Sequence, residues 1–244
     1  MQIEGRVALI TGAAQRIGRT VALALAEKGA DVVIHYHRSA NEAEATAREC
    51  RRYGVRAISL RADLGRKADI DRLFRKIVQR FRRLDILVNN AAVFPKTPFL
   101  SCTEKAWDNV LDTNLKGSFL CAQRAAKIML RYDGGKIINL SDWSGMRPYA
   151  DYLPYCVSKG GVITLTKALA LELAPKIQVA CIAPGPILLP KHYTKEEAKQ
   201  VKGKVPLKRI GTPQDIARTV LFLLEGTDFI TGSTILVDGG ESIA

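Results

Sequence analysis

The sequence has 244 residues, 47% of them hydrophobic, which is enough for a sizeable core in one domain over residues 1–244. The formal net charge is +13, but the basic residues are scattered along predicted helices, without a long basic block or an aromatic ladder, so no nucleic-acid partner is expected. No apolar run reaches the roughly 20 residues of a membrane span, and the five cysteines form no C-x-x-C pair, so we expect a cytoplasmic protein with reduced thiols and without signal peptide, membrane attachment or metal site.

The first predicted unit is a strand, a glycine-containing turn and a helix. Residues 6–10 form a short apolar strand, and the turn at 11–18 follows it. Gly12 permits a tight turn, and Gly18 lets the helix and the strand pack closely. A helix start offers free N–H groups and a positive dipole end to a pyrophosphate. This unit therefore predicts half of a dinucleotide-binding site.

The second predicted strand, residues 31–37, indicates which dinucleotide is used. No acidic residue stands about 20 positions beyond the glycines, where it would bind the ribose 2′-OH of NAD. His37, Arg38 and Ser39 instead supply donors that suit a 2′-phosphate, which favours NADPH. His35 shares a face of the strand with His37, and each of them could be packed or solvated.

Strands and helices alternate through the rest of the chain. The further predicted strands are 55–60, 84–88, 136–140, 177–182 and 234–237, and the helices include 41–53, 68–81 and 107–132. Such alternation predicts a parallel sheet with right-handed crossovers. Ligands of these folds bind at the carboxyl ends of the strands, where the motifs lie.

Two loops at those ends are candidates for contact with a substrate. Phe94 follows the fourth strand, and its ring either stacks on a flat substrate or packs within the loop. Residues 190–206 are polar and lysine-rich, with a short helix predicted around 196–201. We interpret this segment as a mobile substrate lid.

The chemistry is predicted to lie between Asp142 and Lys159. Tyr155 and Lys159 stand four residues apart, which places both polar groups on one helix face. A lysine ammonium favours the phenolate and would lower the tyrosine pKa, making a usable proton donor. Asp142 lies thirteen residues before Tyr155, and strand alternation turns Ser141 to the opposite side. Ser144 stands nearby as an alternative polar group.

Together these motifs resemble the short-chain dehydrogenase/reductase family over essentially the whole chain. The family's T-G-x-x-x-G-x-G has Arg16 at its middle glycine, its N-N-A-G has Ala92 at the glycine, and its serine thirteen before the tyrosine is replaced by Asp142. The resemblance implies a doubly wound Rossmann-type α/β fold. Its mostly parallel seven-stranded sheet would carry helices on both faces, and the protein would be a homotetramer.

The resemblance also implies the site residues. The catalytic residues would be Asp142, Tyr155, Lys159 and Asn114, the last holding a water for a lysine-linked proton relay. The cofactor, NADPH or NADP⁺, would contact Gly12, Arg16, Ile17, Gly18, Tyr36, His37, Arg38, Ser39, Asp63, Leu64, Asn90, Ala91, Tyr155, Lys159, Pro184, Gly185 and Ile187.

Four local features resemble the pteridine reductase subgroup of that family. They are Arg16 in the glycine turn, the sequence HYHRS at 35–39, Phe94 after N-N-A-A-V, and Asp142 in the serine slot. The subgroup reduces dihydropterins with NADPH, and some members also reduce oxidised pterins. The pterin would lie between Phe94 and the nicotinamide, with Arg16, Asp142 and Tyr155 around its edge.

Two alternatives stay open at this point. A 3-oxoacyl-[acyl-carrier-protein] reductase, or another small-ketone reductase of the same family, would use the positive surface to recognise an acidic carrier protein. A basic RNA-binding or regulatory Rossmann protein without turnover is supported by the charge alone.

Overall fold

Seven strands form one sheet in the computed structural model, which describes residues 1–189 and 194–244. In chain order they are β1 (Val7–Ile10), β2 (Asp31–Tyr36), β3 (Ala57–Arg61), β4 (Ile86–Asn89), β5 (Gly135–Leu140), β6 (Ile177–Pro184) and β7 (Thr234–Val237). Their spatial order is β3-β2-β1-β4-β5-β6-β7, and every neighbouring pair is parallel. The winding direction reverses between β1 and β4, where doubly wound sheets bind their ligands.

Helices connect these strands. They are α1 (Arg16–Glu27), α2 (Ala40–Arg51), α3 (Lys67–Phe81), α4 (Glu104–Leu111), α5 (Gly117–Met129), α6 (Leu153–Leu173), α7 (Lys195–Lys204) and α8 (Pro213–Leu221), with short 3₁₀ turns at Phe99–Ser101, Trp143–Gly145 and Glu241–Ile243. Among the described residues, no helix is both long and apolar enough to cross a bilayer.

The helix predicted at 107–132 is confirmed as a continuous helical run over 104–129, although this run is not regular α-helix throughout. Asp112–Lys116 forms a π-helical turn that separates α4 from α5, and a second such turn, Phe222–Gly226, follows α8. Of the predicted lid, residues 190–193 lie outside the described part of the chain. The remainder carries α7, whose start is fixed by a capping box between Thr194 and Glu197.

The core consists of two layers, one on each face of the sheet. Alternate residues of β1 divide between them, because successive strand side chains point to opposite faces. Ala8 and Ile10 pack in the layer with α1, α2 and α8, whereas Val7 and Leu9 pack in the layer with α3 and α5. Helices on both faces explain why the inner strands are continuous apolar runs. Each fully buried leucine or isoleucine contributes roughly 1.5–3 kcal/mol to folding.

Candidate active site

The turn after β1 comes so close to neighbouring backbone that two of its positions require glycine. Gly12 has φ +64°, and a Cβ there would lie 2.9 Å from the Cα of Ala91. A Cβ on Gly18 would lie 2.4 Å from the carbonyl oxygen of Gly12. Both distances are far below van der Waals contact, so the roles predicted for these glycines in the turn are confirmed.

Side chains of the neighbouring strand end hold this turn in place. The Thr11 hydroxyl accepts hydrogen bonds from the N–H groups of Asn90 and Ala91, at 2.9 and 3.0 Å. The Asn90 amide donates back to the carbonyl oxygens of Thr11 and Gly12, at 2.8 and 3.1 Å. The ends of β1 and β4 are therefore cross-linked where the sheet changes winding direction.

The same turn fits a dinucleotide phosphate. Gln15 precedes α1 and makes no side-chain cap hydrogen bond, and the first turn of α1 contains no acidic residue. The first N–H groups of a helix have no partners within it, so an uncapped start can bind an anion. The uncapped helix start therefore suits a pyrophosphate, although the cofactor contacts themselves stay a prediction.

Arg16 occupies the family's middle glycine position with φ +57°, the left-handed region that non-glycine residues rarely adopt. Its Nη2 donates to the carbonyl oxygen of Leu188 at 3.2 Å. The guanidinium thus crosses from the phosphate turn to the loop after β6, instead of pointing freely into solvent. That loop includes Gly185 and the buried Ile187, both predicted to contact the cofactor.

At the end of β2, His37 and Arg38 are exposed. His37 Nε2 lies 3.9 Å from a carboxylate oxygen of Asp63, the residue predicted to contact adenine. Within the described residues, Arg38 forms no ion pair. Its guanidinium is therefore available at the surface where a 2′-phosphate is predicted to bind.

His35 points inward and is buried, which resolves one question that the sequence left open. Its Nδ1 accepts the N–H of Gly12 at 3.1 Å, and its Nε2 lies 3.1 Å from the carbonyl oxygen of Ala62. Burial lowers the pKa of His35 from 6.5 to about 4, so the imidazole is neutral at physiological pH.

In the predicted reacting centre, Asp142 and Tyr155 are in direct contact. The Tyr155 hydroxyl donates to Asp142 Oδ2 at 3.0 Å, and the Ser144 N–H donates to Asp142 Oδ1 at 2.8 Å. The Ser144 side chain itself is fully buried. The Ser141 hydroxyl instead donates to the carbonyl oxygen of Lys159 at 2.8 Å. Asp142 is therefore the acidic neighbour of the tyrosine.

The expected effect of Lys159 on Tyr155 is wrong for this geometry. Lys159 Nζ donates to the carbonyl oxygen of Leu140 at 2.8 Å and lies 5.5 Å from the centre of the Tyr155 ring. Burial raises the pKa of Tyr155 well above 10, and the Asp142 carboxylate raises it further because it stabilises the protonated hydroxyl. Burial also lowers the pKa of Lys159. The carboxylate, not the ammonium, is the charged group bonded to the tyrosine.

Asn114 connects the catalytic helix to the loop before Phe94. Its side-chain oxygen accepts the N–H of Val93 at 2.8 Å, and its nitrogen donates to the Val93 carbonyl and to Ser158 Oγ, at 3.0 and 3.1 Å. Ser158 in turn donates to the carbonyl oxygen of Tyr155 at 2.7 Å. The Asn114 side chain therefore orients both the loop and the helix, and the role of Asn114 in a water relay stays a prediction.

Phe94 lies against two tyrosines. Its ring stacks on Tyr152 with centroids 4.3 Å apart and planes 7° apart, and it meets Tyr155 edge-on at 4.5 Å. Phe94 is still 48% exposed, so one side of the ring is available to a ligand. Sequence analysis missed Tyr152, although an aromatic residue three positions before Tyr155, at the start of α6, is a signal that could have found it.

The comparisons with known proteins cover almost the whole chain. Residues 12–242 match a family described as enoyl-(acyl carrier protein) reductase. A 3-oxoacyl-[acyl-carrier-protein] reductase of Staphylococcus epidermidis is 39% identical over 237 residues, covering 96% of this chain and 97% of the relative.

Solved structures show the same arrangement. A protein from Sinorhizobium meliloti, assigned as a short-chain alcohol dehydrogenase, has a TM-score of 0.93 and 35% identity, covering 99% of this chain and 98% of that one. Acetoin dehydrogenase from Enterobacter cloacae has a TM-score of 0.91 and 34% identity, covering 100% and 97%. The predicted doubly wound fold is thereby confirmed.

The buried His35 predicts that folding stability falls in mild acid. Because its pKa is about 4 in the fold and 6.5 in the unfolded chain, the unfolded chain binds the extra proton between these values. This contributes about 3 kcal/mol of stability that is complete above about pH 6.5 and is lost as the pH falls towards 4. Urea denaturation at about pH 7, 6 and 5 should show the unmodified protein losing more stability than His35→Asn. Parallel losses in both proteins would contradict this assignment.

Proposed function

The chain belongs to the short-chain dehydrogenase/reductase family and is an oxidoreductase, and we propose that it reduces a pterin with NADPH, with Tyr155 as the proton donor. When bound, NADPH supplies the hydride, which adds to the carbon of a ring C=N bond. The nitrogen of that bond receives a proton from the Tyr155 hydroxyl. The overall change is a dihydropterin to a tetrahydropterin.

The preference for NADPH is supported by the surface at the end of β2. Arg38 is exposed and His37 lies beside it, and the strand ends without an acid at the position that would bind a ribose 2′-OH. A planar guanidinium suits the oxygen atoms of a 2′-phosphate. The uncapped start of α1 would hold the pyrophosphate.

The contact between Asp142 and Tyr155 is the single observation that carries the substrate proposal. An ionised carboxylate only accepts hydrogen bonds, and its charge opposes an oxyanion that develops beside it. Reduction of a ketone creates such an oxyanion, whereas a pterin presents N–H groups and a ring nitrogen that needs a proton. The half-exposed ring of Phe94, in contact with Tyr155, offers a stacking surface for a flat heterocycle.

Reduction of 3-oxoacyl groups on acyl carrier protein is the second candidate, and a specific finding favours it. Relatives with that name are 39% and 40% identical over 237 residues of this chain. The net charge of +13 would also suit an acidic carrier protein. The names of the relatives support this candidate better than the pterin proposal, whereas the reacting centre supports the pterin. One fold hosts many chemistries, so groups at the reacting atoms weigh more for the substrate.

A panel of NADPH oxidation assays separates the candidates. It compares dihydrobiopterin, dihydromonapterin, dihydrofolate and acetoacetyl thioesters at equal concentration. The proposal expects higher kcat/KM for at least one dihydropterin than for any thioester, and the reverse order would assign the second candidate. If none of these substrates supported NADPH oxidation, both candidate activities would be rejected in favour of a regulatory protein without turnover. The homotetramer and the cytoplasmic location belong to the same proposal, and light scattering tests the oligomeric state.

Arg38→Asp should erase or reverse the preference for NADPH over NADH, because a carboxylate repels the 2′-phosphate. The measurement is kcat/KM for both cofactors. The control variant is Arg131→Asp, which makes the same charge change. Arg131 is exposed and lies just before β5, so it is at the amino-terminal ends of the strands, away from the predicted cofactor site. Equal efficiency of the two cofactors in the unmodified protein would show that NADPH is not preferred.

Phe94→Ala should weaken pterin binding much more than NADPH binding. Loss of a stacking surface costs on the order of 1 kcal/mol, or about five-fold in affinity. KM and inhibitor affinity for pterins measure the effect, with the exposed Phe99 changed to alanine as the control. An unchanged pterin affinity would mean that Phe94 only packs against Tyr152.

If the Asp142 carboxyl group also passes a proton to Tyr155, Asp142→Asn should lower pterin turnover about ten-fold or more, as expected for a lost acid–base group. The asparagine keeps an oxygen for the Ser144 N–H, so the local turn should survive. Asp142→Ser should also reduce pterin turnover while it increases reduction of acetoacetyl thioesters. Ser144→Ala is the comparison. If it proves the damaging change and Asp142→Asn is nearly silent, Ser144 performs the family serine's role.

A further inference from the structure

His35 is buried beside the predicted cofactor site, and its ring forms hydrogen bonds with two segments that border this site. Its ring joins the N–H of Gly12 in the glycine turn to the carbonyl oxygen of Ala62, the residue before Asp63. Its own carbonyl oxygen accepts the N–H of Ala13 at 2.9 Å. One residue of β2 therefore holds the phosphate turn and the segment predicted to contact adenine at a fixed separation.

We propose that His35 is a positioning residue for the dinucleotide: its neutral imidazole sets the glycine turn at the distance that the pyrophosphate requires. The inference rests on the proposed function only in requiring a dinucleotide, and it is independent of the substrate. His35 does not touch the reacting atoms. It acts through the backbone of Gly12.

The hydrogen bonds determine the ring's protonation. An amide N–H only donates and a carbonyl oxygen only accepts, so Nδ1 must be bare towards Gly12 and Nε2 must carry the hydrogen towards Ala62. A second ring proton would face the N–H of Gly12 and push the turn away. Burial lowers the pKa of His35 and so disfavours that proton; the hydrogen bond to Ala62 and the Asp63 carboxylate oppose this effect, and the neighbouring His37 adds to it.

The geometry also separates two sets of amides in the turn. The N–H groups of Gly12 and Ala13 are both directed to His35 and are therefore unavailable to a ligand. The N–H groups left for a phosphate are those at the start of α1, which has no side-chain cap. By holding the N–H groups of Gly12 and Ala13, His35 determines the direction of the N–H groups at the start of α1.

Two substitutions of nearly equal shape test this role. His35→Asn keeps an oxygen near the position of Nδ1 and can still accept the Gly12 N–H, whereas His35→Leu puts a methyl group there. We expect the dissociation constant of NADPH to stay within about three-fold for the asparagine variant and to rise about ten-fold or more for the leucine variant, because a buried donor is then left without a partner. Both constants are measured by fluorescence titration at about pH 7.5.

The dissociation constant of NADH is the second measurement, and it distinguishes a displaced phosphate turn from a lost contact with the 2′-phosphate. A displaced phosphate turn weakens NADPH and NADH by the same factor, whereas Arg38→Asp weakens NADPH alone. Equal dissociation constants for the asparagine and leucine variants would overturn the proposal. If the unmodified protein bound neither nucleotide, the proposed function itself would fail, which is a different result.

Nitrogen-15 NMR of the unmodified protein keeps the test valid if the leucine variant does not fold. The His35 shifts should report a hydrogen on Nε2 and none on Nδ1 at about pH 7. A hydrogen on Nδ1 would contradict the bond to Gly12 and overturn the proposal.

Discussion

The close approach of the β1 turn to the end of β4 is the constraint on which the site depends. The neighbouring atoms leave no room for a Cβ at Gly12 or Gly18. Hydrogen bonds between Thr11 and Asn90 hold the ends of β1 and β4 together. Because every pairing in the sheet is parallel, the loops after the strands share one edge. Glycine turn, aromatic loop and catalytic segment therefore meet only while this junction keeps its spacing.

We propose that the substrate class on this shared fold depends on one side chain, Asp142. Relatives and solved structures at 34–39% identity share the architecture, yet their names include an acyl-carrier-protein reductase and an acetoin dehydrogenase. Asp142 does not disturb the fold, since its Oδ1 accepts the Ser144 N–H and caps a short turn. Its Oδ2 accepts a hydrogen bond from the Tyr155 hydroxyl, so a carboxylate lies beside the proposed proton donor, where its charge would affect the reaction most.

Two buried polar groups form hydrogen bonds to loops of the candidate site. His35 bonds the glycine turn from below, and Asn114 bonds Val93 and Ser158 on the side of the catalytic helix. A buried donor or acceptor without a partner costs free energy, so each of these contacts restricts its loop to one position. Through Ser158 the second contact also reaches the backbone of Tyr155. The regions predicted to bind cofactor and substrate are thus both held by side chains of the protein core.

The sequence by itself determined what depends on local pattern. All seven strands were predicted, with ends that differ by at most two residues from those observed, because apolar runs between turn residues mark buried strands. Spacing also singled out Gly12, Gly18, Tyr155 and Lys159, and the resemblance to the family singled out Asp142; their roles in the site stay predictions. Tertiary structure alone decided the π-helical turn at Asp112–Lys116, the stacking of Phe94 on Tyr152, the inward position of His35 and the raised pKa of Tyr155. Each of these arises from contacts between segments distant in the chain or from burial, and neither is encoded in the spacing of neighbouring residues.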